Sequence, residues 1–507
     1  MNIRMKKTEN RRQIAEYSLQ KKTYRTCLSV LAVGLAMLAA VPAYAQKVDR
    51  SSPPALGPAP SLKLPSVQRL KLANGIPVVL MEKHDVPLVQ INLIINSGTG
   101  TDPAGKSGLA SLTADMLDEG AGTRNALELA DAIDFLGANI NSGSGIHTTV
   151  VTLHAPLNKL DQALPLMADI AIRPTFPAED LARKQKELLT MLMQWHDRPG
   201  TIANVLFNKT LFGNEHPYGA VAAGNEQSIR SFSQNDLKQF HAAHFHAGNA
   251  TLVVVGDVAP NAVLAKLDAA FGAWQAKSVT KPMWPSATQV QDRRIYLVDK
   301  PGAAQTEVRI GRIGVERASP DYFPLLVMNT ILGGSFSSRL NQNLREEHGY
   351  SYGASSRFNF LPMPGSFLTG AAVQTAVTDK SLVEFMNELN GILKPVADDE
   401  LTRAKNYLAL GYPEGFQSVG QIAGQLGDLV IYNLRDDYFN MYIQRVLVVT
   451  KADVERVAKK YLDPEKLAIV LVGDRSVIEQ GVRALNLGQM NLLSIEDVLG
   501  KVPTVAH

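Results

Sequence analysis

The sequence predicts an α+β protein built from two homologous tandem domains, each a sheet with helices packed on one face. Three observations carry this. The chain has 507 residues, too many for one compact core. Strand-like runs are mixed with helix pairs without strict βαβ alternation, which favours α+β halves. The segment NATLVVVGDV (249–258) also has a counterpart in EKLAIVLVGDR (465–475). Self-similarity at so long a spacing marks a duplicated domain rather than a solenoid. With 45% hydrophobic and 20% charged residues, the composition is that of an ordinary globular chain, neither disordered nor membrane-embedded.

The first 45 residues read as a targeting segment. Arg4, Lys6, Lys7, Arg11, Arg12, Lys21, Lys22 and Arg25 form a basic leader, an apolar run extends from Cys27 to about Ala40, and Ala43-Tyr44-Ala45 supplies a small-x-small cleavage pattern. This predicts a cleaved signal peptide over 1–45, a periplasmic location and no membrane attachment after cleavage. A one-pass anchor is the alternative, although the apolar run falls short of the roughly 20 residues a bilayer span needs. The leader holds eight Lys/Arg and two Asp/Glu, leaving 43 basic and 46 acidic residues and a net charge of about −3. Nothing in that balance points to nucleic acid. The single cysteine, Cys27, lies within the leader, so the rest of the chain has no disulfide, thiolate metal site or cysteine nucleophile.

Residues 46–66 carry Pro53, Pro54, Pro58, Pro60 and Pro65 and read as a flexible linker. A first domain follows over 67–273. GIPVVLMEKHDVPLVQINLIINSG contains two β-branched runs separated by turn residues, hence two strands. Leu109, Leu112, Met116 and Leu117 recur at helical spacing between Gly108 and Leu117. TTVVTLHA reads as a strand, LNKLDQALPLMADIAI and PAEDLARKQKELLTMLMQWHD as amphipathic helices. A helix around Leu237 and the strand Leu252–Val255 close this half. A linker spans 274–292, with Pro282 and Pro285. The second domain, 293–490, repeats the order. RIYLVDK and TEVRIGRIG are strands, and Ser319-Pro320 fits an N-cap with proline at N1 for a helix from Asp321 to Leu332, stopped by Gly333-Gly334. Then come a strand near Phe367, helices over 380–394 and 398–410, and the strand Leu467–Val472. Residues 491–507 read as a tail.

Three blocks carry a family resemblance: DPAGKSGLASLTADMLDEGAGT, HPYGAVAAGNEQSIRSFSQNDLKQFHAAHFHAGNATLVVVGD and ILGGSFSSRLNQNLREEHGYSYGASS. Together, and in this order, they resemble the insulinase/pitrilysin zinc peptidases, in particular the shorter two-domain bacterial and mitochondrial-processing type, over about residues 67–490. The resemblance implies that the two domains form half of a clam-like chamber. It also implies an H-x-x-E-H helix in the first domain, where two histidines one turn apart bind zinc and the glutamate activates the metal-bound water. Here Ser111, Ala114 and Asp115 occupy those three positions, and the distal metal-binding glutamate falls near Thr190 or Met191. The metal motif is therefore lost, and no cofactor is expected in this chain. Asp115 with Asp118 and Glu119 could hold a hard cation, but three carboxylates on a helix surface are usually only solvated.

The second domain keeps what the first has lost. The family has an arginine and a tyrosine seven residues apart, matched here by Arg345 and Tyr352; Tyr350 is a near competitor separated from Tyr352 only by that spacing. A phenol can donate to a developing oxyanion and a guanidinium can fork onto peptide carbonyls. Gly333, Gly334 and Ser335 resemble the family's glycine-containing loop and are candidate substrate-binding residues; a plain helix stop is the other reading. His241, His244 and His246 have no carboxylate ligand beside them and read, like His216, as structural. The resemblance thus implies the non-zinc subunit of a heteromeric peptidase. It would bind peptide or unfolded polypeptide and lend Arg345 and Tyr352 to a composite site completed by a zinc-bearing paralogous subunit. The alternative is a catalytically inactive peptide-binding or scaffold protein of the same fold.

Overall fold

The computed structural model describes residues 62–279 and 282–504, with Gly57. The leader over 1–45 and most of the linker over 46–66 lie outside the described residues. The first half contributes strands β1 (Gln68–Lys71), β2 (Pro77–Glu82), β3 (Leu88–Ile95), a small hairpin of β4 (Gly120–Ala121) and β5 (Arg124–Asn125), β6 (Asn139–Ser144), β7 (Thr149–Pro156) and β8 (Ala250–Gly256). The second contributes β9 (Arg294–Asp299), β10 (Gln305–Ile313), β11 (Ser351–Phe358), β12 (Ser366–Gln374), β13 (Ala468–Gly473) and β14 (Gln489–Leu493). The main sheets run β1-β2-β8-β3-β7-β6 and β11-β12-β10-β13-β9-β14. Read from its far end, the second repeats the first. β2/β8 and β9/β13 are the matching parallel pairs, β3/β8 and β10/β13 the matching antiparallel ones. This is the duplication expected from the repeated segments.

The helices of the first half are α1 (Leu109–Asp115), α2 (Ala126–Phe135), α3 (Leu160–Ile172), α4 (Ala178–Trp195), α5 (Pro199–Phe212), α6 (Glu226–Ser231), α7 (Gln234–His244) and α8 (Pro260–Phe271). The second half has α9 (Tyr322–Leu332), α10 (Arg339–Asn341, continuing as a π-helical turn over Gln342–Glu347), α11 (Thr378–Gly391), α12 (Asp398–Gly411), α13 (Val419–Ile431), α14 (Tyr438–Leu447), α15 (Lys451–Tyr461), α16 (Arg475–Ala484) and α17 (Ile495–Leu499). One start differs from expectation. Asp321, not Ser319, occupies the N-cap of α9, and Pro320 precedes the helix. Asp321 is recruited elsewhere: burial disfavours its charge, but hydrogen bonds from Tyr461, Lys460 and Arg456 outweigh that and hold its carboxyl down at about 2.

Strand periodicity of two gives each sheet two apolar faces. In the first half Val78, Leu80, Ile91, Leu93, Leu252 and Val254 pack with the helices of their own half. Val79, Met81, Ile94, Val253 and Val255, on the opposite face, join a core shared with the second half. The helix that covers them is α13, which packs on β3 and β8 and buries Ile422, Ala423 and Leu426. Ser418 starts α13 with a capping box, accepting from the Gln421 N–H at 3.2 Å while its own N–H donates to the Gln421 side chain at 2.9 Å. The exchange is reciprocal. Helix α5 of the first half packs on β10 and β13 of the second, where Ile202, Leu206 and Phe207 meet Val298, Ile313, Val470 and Val472. Gly311 on β10 makes room for it, since a Cβ there would lie 2.7 Å from the Phe207 ring. Each sheet thus keeps its own helices on one face and receives one helix of the other half on the second.

Two segments read as linker and tail prove to be built into this arrangement. In the 274–292 stretch, the Trp284 indole N–H donates to the Gly100 carbonyl at 3.0 Å and Gln289 donates to that of Ile313 at 2.8 Å. Beyond residue 490, β14 continues as the outer strand of the second sheet, and Lys209 of α5 donates to the Val498 carbonyl in α17 at 2.7 Å. The halves also meet at Tyr218, whose hydroxyl shares a hydrogen bond with His147 Nε2 at 2.8 Å and accepts from the Met363 N–H at 3.2 Å.

Two outcomes are expected. Phe207→Ala empties a buried ring site and is expected to cost about 3–5 kcal/mol; because α5 completes the other half's sheet, chemical denaturation followed by tryptophan fluorescence and by circular dichroism is expected to give one coincident, lowered transition. Separate transitions would show that the exchange does not couple the halves. The His147 imidazole is pushed down to about 4, first by burial and then by His216. An unfolded histidine titrates near 6.5. Its contribution is therefore complete above about 6.5 and is lost as pH falls towards 4, on the order of 2–3 kcal/mol in all. Melting temperatures of His147→Phe are expected to fall less steeply than wild type across that window.

Candidate active site

Helix α1 is where a metal motif would stand. Its start is fixed by Asp102, which accepts from the N–H groups of Gly108 at 2.7 Å and Ala110 at 2.8 Å. Burial raises the Asp102 carboxyl to about 7 and outweighs these donors. Gly108 has φ 92°, and a Cβ there would meet the Ala223 backbone at 2.8 Å, so the position requires glycine. Of the three degenerate positions, Ser111 spends its hydroxyl on the Ala222 carbonyl at 2.9 Å, and Ala114 is fully buried with no polar side-chain atom. Asp115 is exposed. Thr190 donates back along α4 to Lys186 at 2.8 Å. Glu119 is taken up by Arg183 and Lys184, at 2.5 and 2.9 Å. Among the described residues no three His, Asp, Glu or Cys side chains are grouped to hold a metal. One carboxylate, one engaged hydroxyl and a methyl group do not fit a zinc ion, which takes nitrogen, thiolate or carboxylate ligands in fours.

In the second half, α9 ends at Gly333-Gly334. Gly333 lies flat against β11: its carbonyl accepts from the Ser356 N–H at 3.0 Å, and a Cβ would reach the Ser356 hydroxyl at 2.6 Å. At Gly334 a Cβ would meet the Asn329 amide at 2.7 Å, and Ser335 donates to the Thr330 carbonyl at 3.2 Å. All three residues therefore have duties inside the fold. Their loop leads into α10 and its π-turn, which carries Arg345. The Arg345 guanidinium stacks 4.6 Å from the centroid of Phe336, a ring 64% exposed in the same loop, and its Nε lies 3.3 Å from Glu346.

Tyr352 and Tyr350 are separated cleanly. Tyr352 is 91% exposed near the start of β11, within a register irregularity between Ser351 and Ala354, and its hydroxyl has no partner among the described residues. Tyr350 packs against the core, its N–H donates to the Leu344 carbonyl at 2.8 Å and its carbonyl accepts from Gln374 at 3.0 Å. Strands β11 and β6 are the outer strands at corresponding ends of the two sheets. Ser142 on β6 donates to the Ala114 carbonyl at 2.7 Å and so ties that edge to α1. Sequence reasoning missed Phe336 and the π-turn; an apolar ring among glycine and serines, GGSFSS, was the available signal for the first.

The histidines have structural work. His241 bonds through Nε2 to the Ala171 carbonyl at 2.9 Å and stacks on Phe245, while His246 Nδ1 accepts from the Lys277 N–H at 3.3 Å. His216 Nδ1 accepts from the Tyr218 N–H at 3.0 Å. Burial lowers the pKa of all three.

Comparison with known proteins converges on one family. Residues 77–217 match the family described as Insulinase (Peptidase family M16), and residues 231–408 match Peptidase M16 inactive domain. An uncharacterized zinc protease of Mycobacterium leprae is 25% identical over 350 residues, 69% of this chain and 78% of its own. An uncharacterized zinc protease of Bacillus subtilis, YmxG, is 25% identical over 289 residues, 56% of this chain and 68% of its own. Among solved structures, a peptidase M16 inactive domain from Pseudomonas fluorescens superposes with a TM-score of 0.76 at 29% identity, covering 80% of this chain and 98% of that one. A protease from Helicobacter pylori shares the fold, with a TM-score of 0.73 at 20% identity over 81% of this chain and 100% of that one. With both halves matched in order and the two-domain fold shared, the chain belongs to the insulinase-type peptidases of family M16.

Proposed function

We propose that this chain is the non-zinc subunit of a heteromeric M16 peptidase. It binds peptide or unfolded polypeptide and presents Arg345 and Tyr352 to a site whose metal and metal-bound water belong to a zinc-bearing paralogous subunit. The observation that carries this reading is a contrast between the two halves. The positions of the metal motif hold residues that do not fit zinc, while Tyr352 keeps a hydroxyl with no internal duty on an outer strand. A side chain 91% exposed contributes little to packing, so an external partner is the economical account of it.

In this reading an extended peptide adds to a sheet edge, with main-chain hydrogen bonds giving affinity. Arg345, braced on Phe336, forks onto a peptide carbonyl. Tyr352 donates its phenolic hydrogen to the carbonyl oxygen as negative charge develops there, a bond that strengthens towards the transition state. The alternative, a catalytically inactive peptide-binding or scaffold protein of this fold, is favoured by the internal duties of Gly333, Gly334 and Ser335, which leave that loop little to offer a substrate.

Elemental analysis of the purified, dialysed chain is expected to find well below one zinc per chain; stoichiometric zinc would overturn the assignment of Ser111, Ala114 and Asp115. In the complex with the zinc-bearing paralogue, Tyr352→Phe is expected to lower turnover on the order of 10²-fold while leaving assembly intact. Arg345→Ala is expected to raise KM as well, and Tyr350→Phe to be nearly silent. Full activity of both Tyr352→Phe and Arg345→Ala, with assembly unchanged by size-exclusion chromatography, would leave the scaffold reading in its place.

A further inference from the structure

A cavity of about 520 Å³ opens where the two halves meet, and none of the candidate active-site residues lines it. That volume lies within the range of small-ligand sites, far above the water-sized voids left by native packing. Its second-half wall is aromatic, formed by Tyr322 in the first turn of α9, Phe358 and Phe360 at the end of β11, and Tyr432 just past α13; α5 closes the other side. Two charged side chains also face the cavity, Arg317 and Asp428.

Arg317 is rigidly held. Its guanidinium lies 3.7 Å from the centroid of the Tyr322 ring and 4.9 Å from that of Tyr438, and Nη2 donates to the Tyr438 hydroxyl at 2.6 Å. Its backbone N–H donates to the Leu361 carbonyl at 2.8 Å. No carboxylate pairs with it among the described residues, and Asp428 there accepts no hydrogen bond at its carboxylate and forms no ion pair. Asp428 is exposed, and Arg317 acts on its carboxyl through charge alone, with no hydrogen bond or ion pair between them. The cavity therefore offers a fixed donor fork and an unused acceptor, set among aromatic faces. A free cation or a free anion would satisfy one charge and be repelled by the other. A peptide group answers both, since its N–H donates and its carbonyl accepts.

We propose that this cavity is a second peptide-binding site. Asp428 accepts the N–H of a bound segment and Arg317 donates to its carbonyl, while an aromatic or large aliphatic side chain packs against Tyr322, Tyr432 and Phe360. The inference rests on the proposed function only in taking peptides as ligands; it needs neither the partner subunit nor Arg345 and Tyr352. The purified full chain alone is titrated by calorimetry with an acetylated, amidated Ala-Phe-Ala peptide. Saturable binding is expected. Asp428→Ala and Tyr432→Ala are each expected to weaken it by about tenfold or more, as is methylation of the peptide nitrogens. Tyr350→Phe, outside both sites, is expected to leave it unchanged. Asp428 is exposed on a helix, so its alanine variant is expected to keep the wild-type melting temperature, which is checked first. No saturable binding to the wild type, or equal binding by correctly folded Asp428→Ala and Tyr432→Ala, would overturn the proposal. Loss on Tyr352→Phe in place of Asp428→Ala would do so too, by moving the peptide to the candidate active site and supporting the function proposed there.

Discussion

The exchange of α5 and α13 between the halves is the contact on which the rest of the molecule depends. A six-stranded sheet with helices on one side leaves its other apolar face to water, and at about 25 cal/mol per Å² that exposure is costly. Here neither half can cover that face with its own helices. Val79, Met81, Val253 and Val255 are buried because α13 crosses from the second half, and Val298, Val470 and Val472 because α5 crosses from the first. Duplication thus produced a pair of domains that complete each other, and the outer strands β6 and β11 are left at corresponding ends of a scaffold whose halves cannot readily shift apart.

Against that rigid frame the two ends have diverged. In the first half the place of the metal helix is filled by internal bonding. Ser111 reaches back to Ala222, the Ala114 carbonyl accepts from Ser142, and Glu119 is neutralised by Arg183 and Lys184. In the second half the corresponding outer strand carries an exposed phenol, and the π-turn before it a guanidinium supported by a ring that is itself exposed. Under the proposed function, the first half has lost its metal ligands while the second keeps its aromatic and cationic groups.

Much of this was legible in the sequence, and the omissions have physical causes. Strands β2, β3, β7, β8, β9, β10 and β13 announce themselves because central strands bury β-branched runs. β6, with the sequence NINSGS and one buried residue, carries no such run, because an outer strand has little to bury. Hydrophobic periodicity can show that a helix has an apolar face but not which sheet receives it, so the exchange of α5 and α13 was invisible. The seven-residue spacing of Arg345 and Tyr352 was readable; the separation of Tyr352 from Tyr350 in exposure depends on the π-turn and the strand irregularity, which leave no pattern. The cavity around Arg317 and Asp428 gathers residues over a hundred positions apart, beyond any local signal.

Helix exchange also sets an order on how the chain is made. At roughly 5–20 residues per second, a ribosome completing β8 needs about nine to thirty-five seconds more to deliver α13. Through that interval the nascent first sheet has one apolar face with nothing of its own to cover it. Contacts between β8 and α13 span more than 160 residues, a high contact order of the kind that slows folding. The same crossing that locks the finished molecule therefore leaves its unfinished first half exposing apolar surface of the kind that chaperones shield.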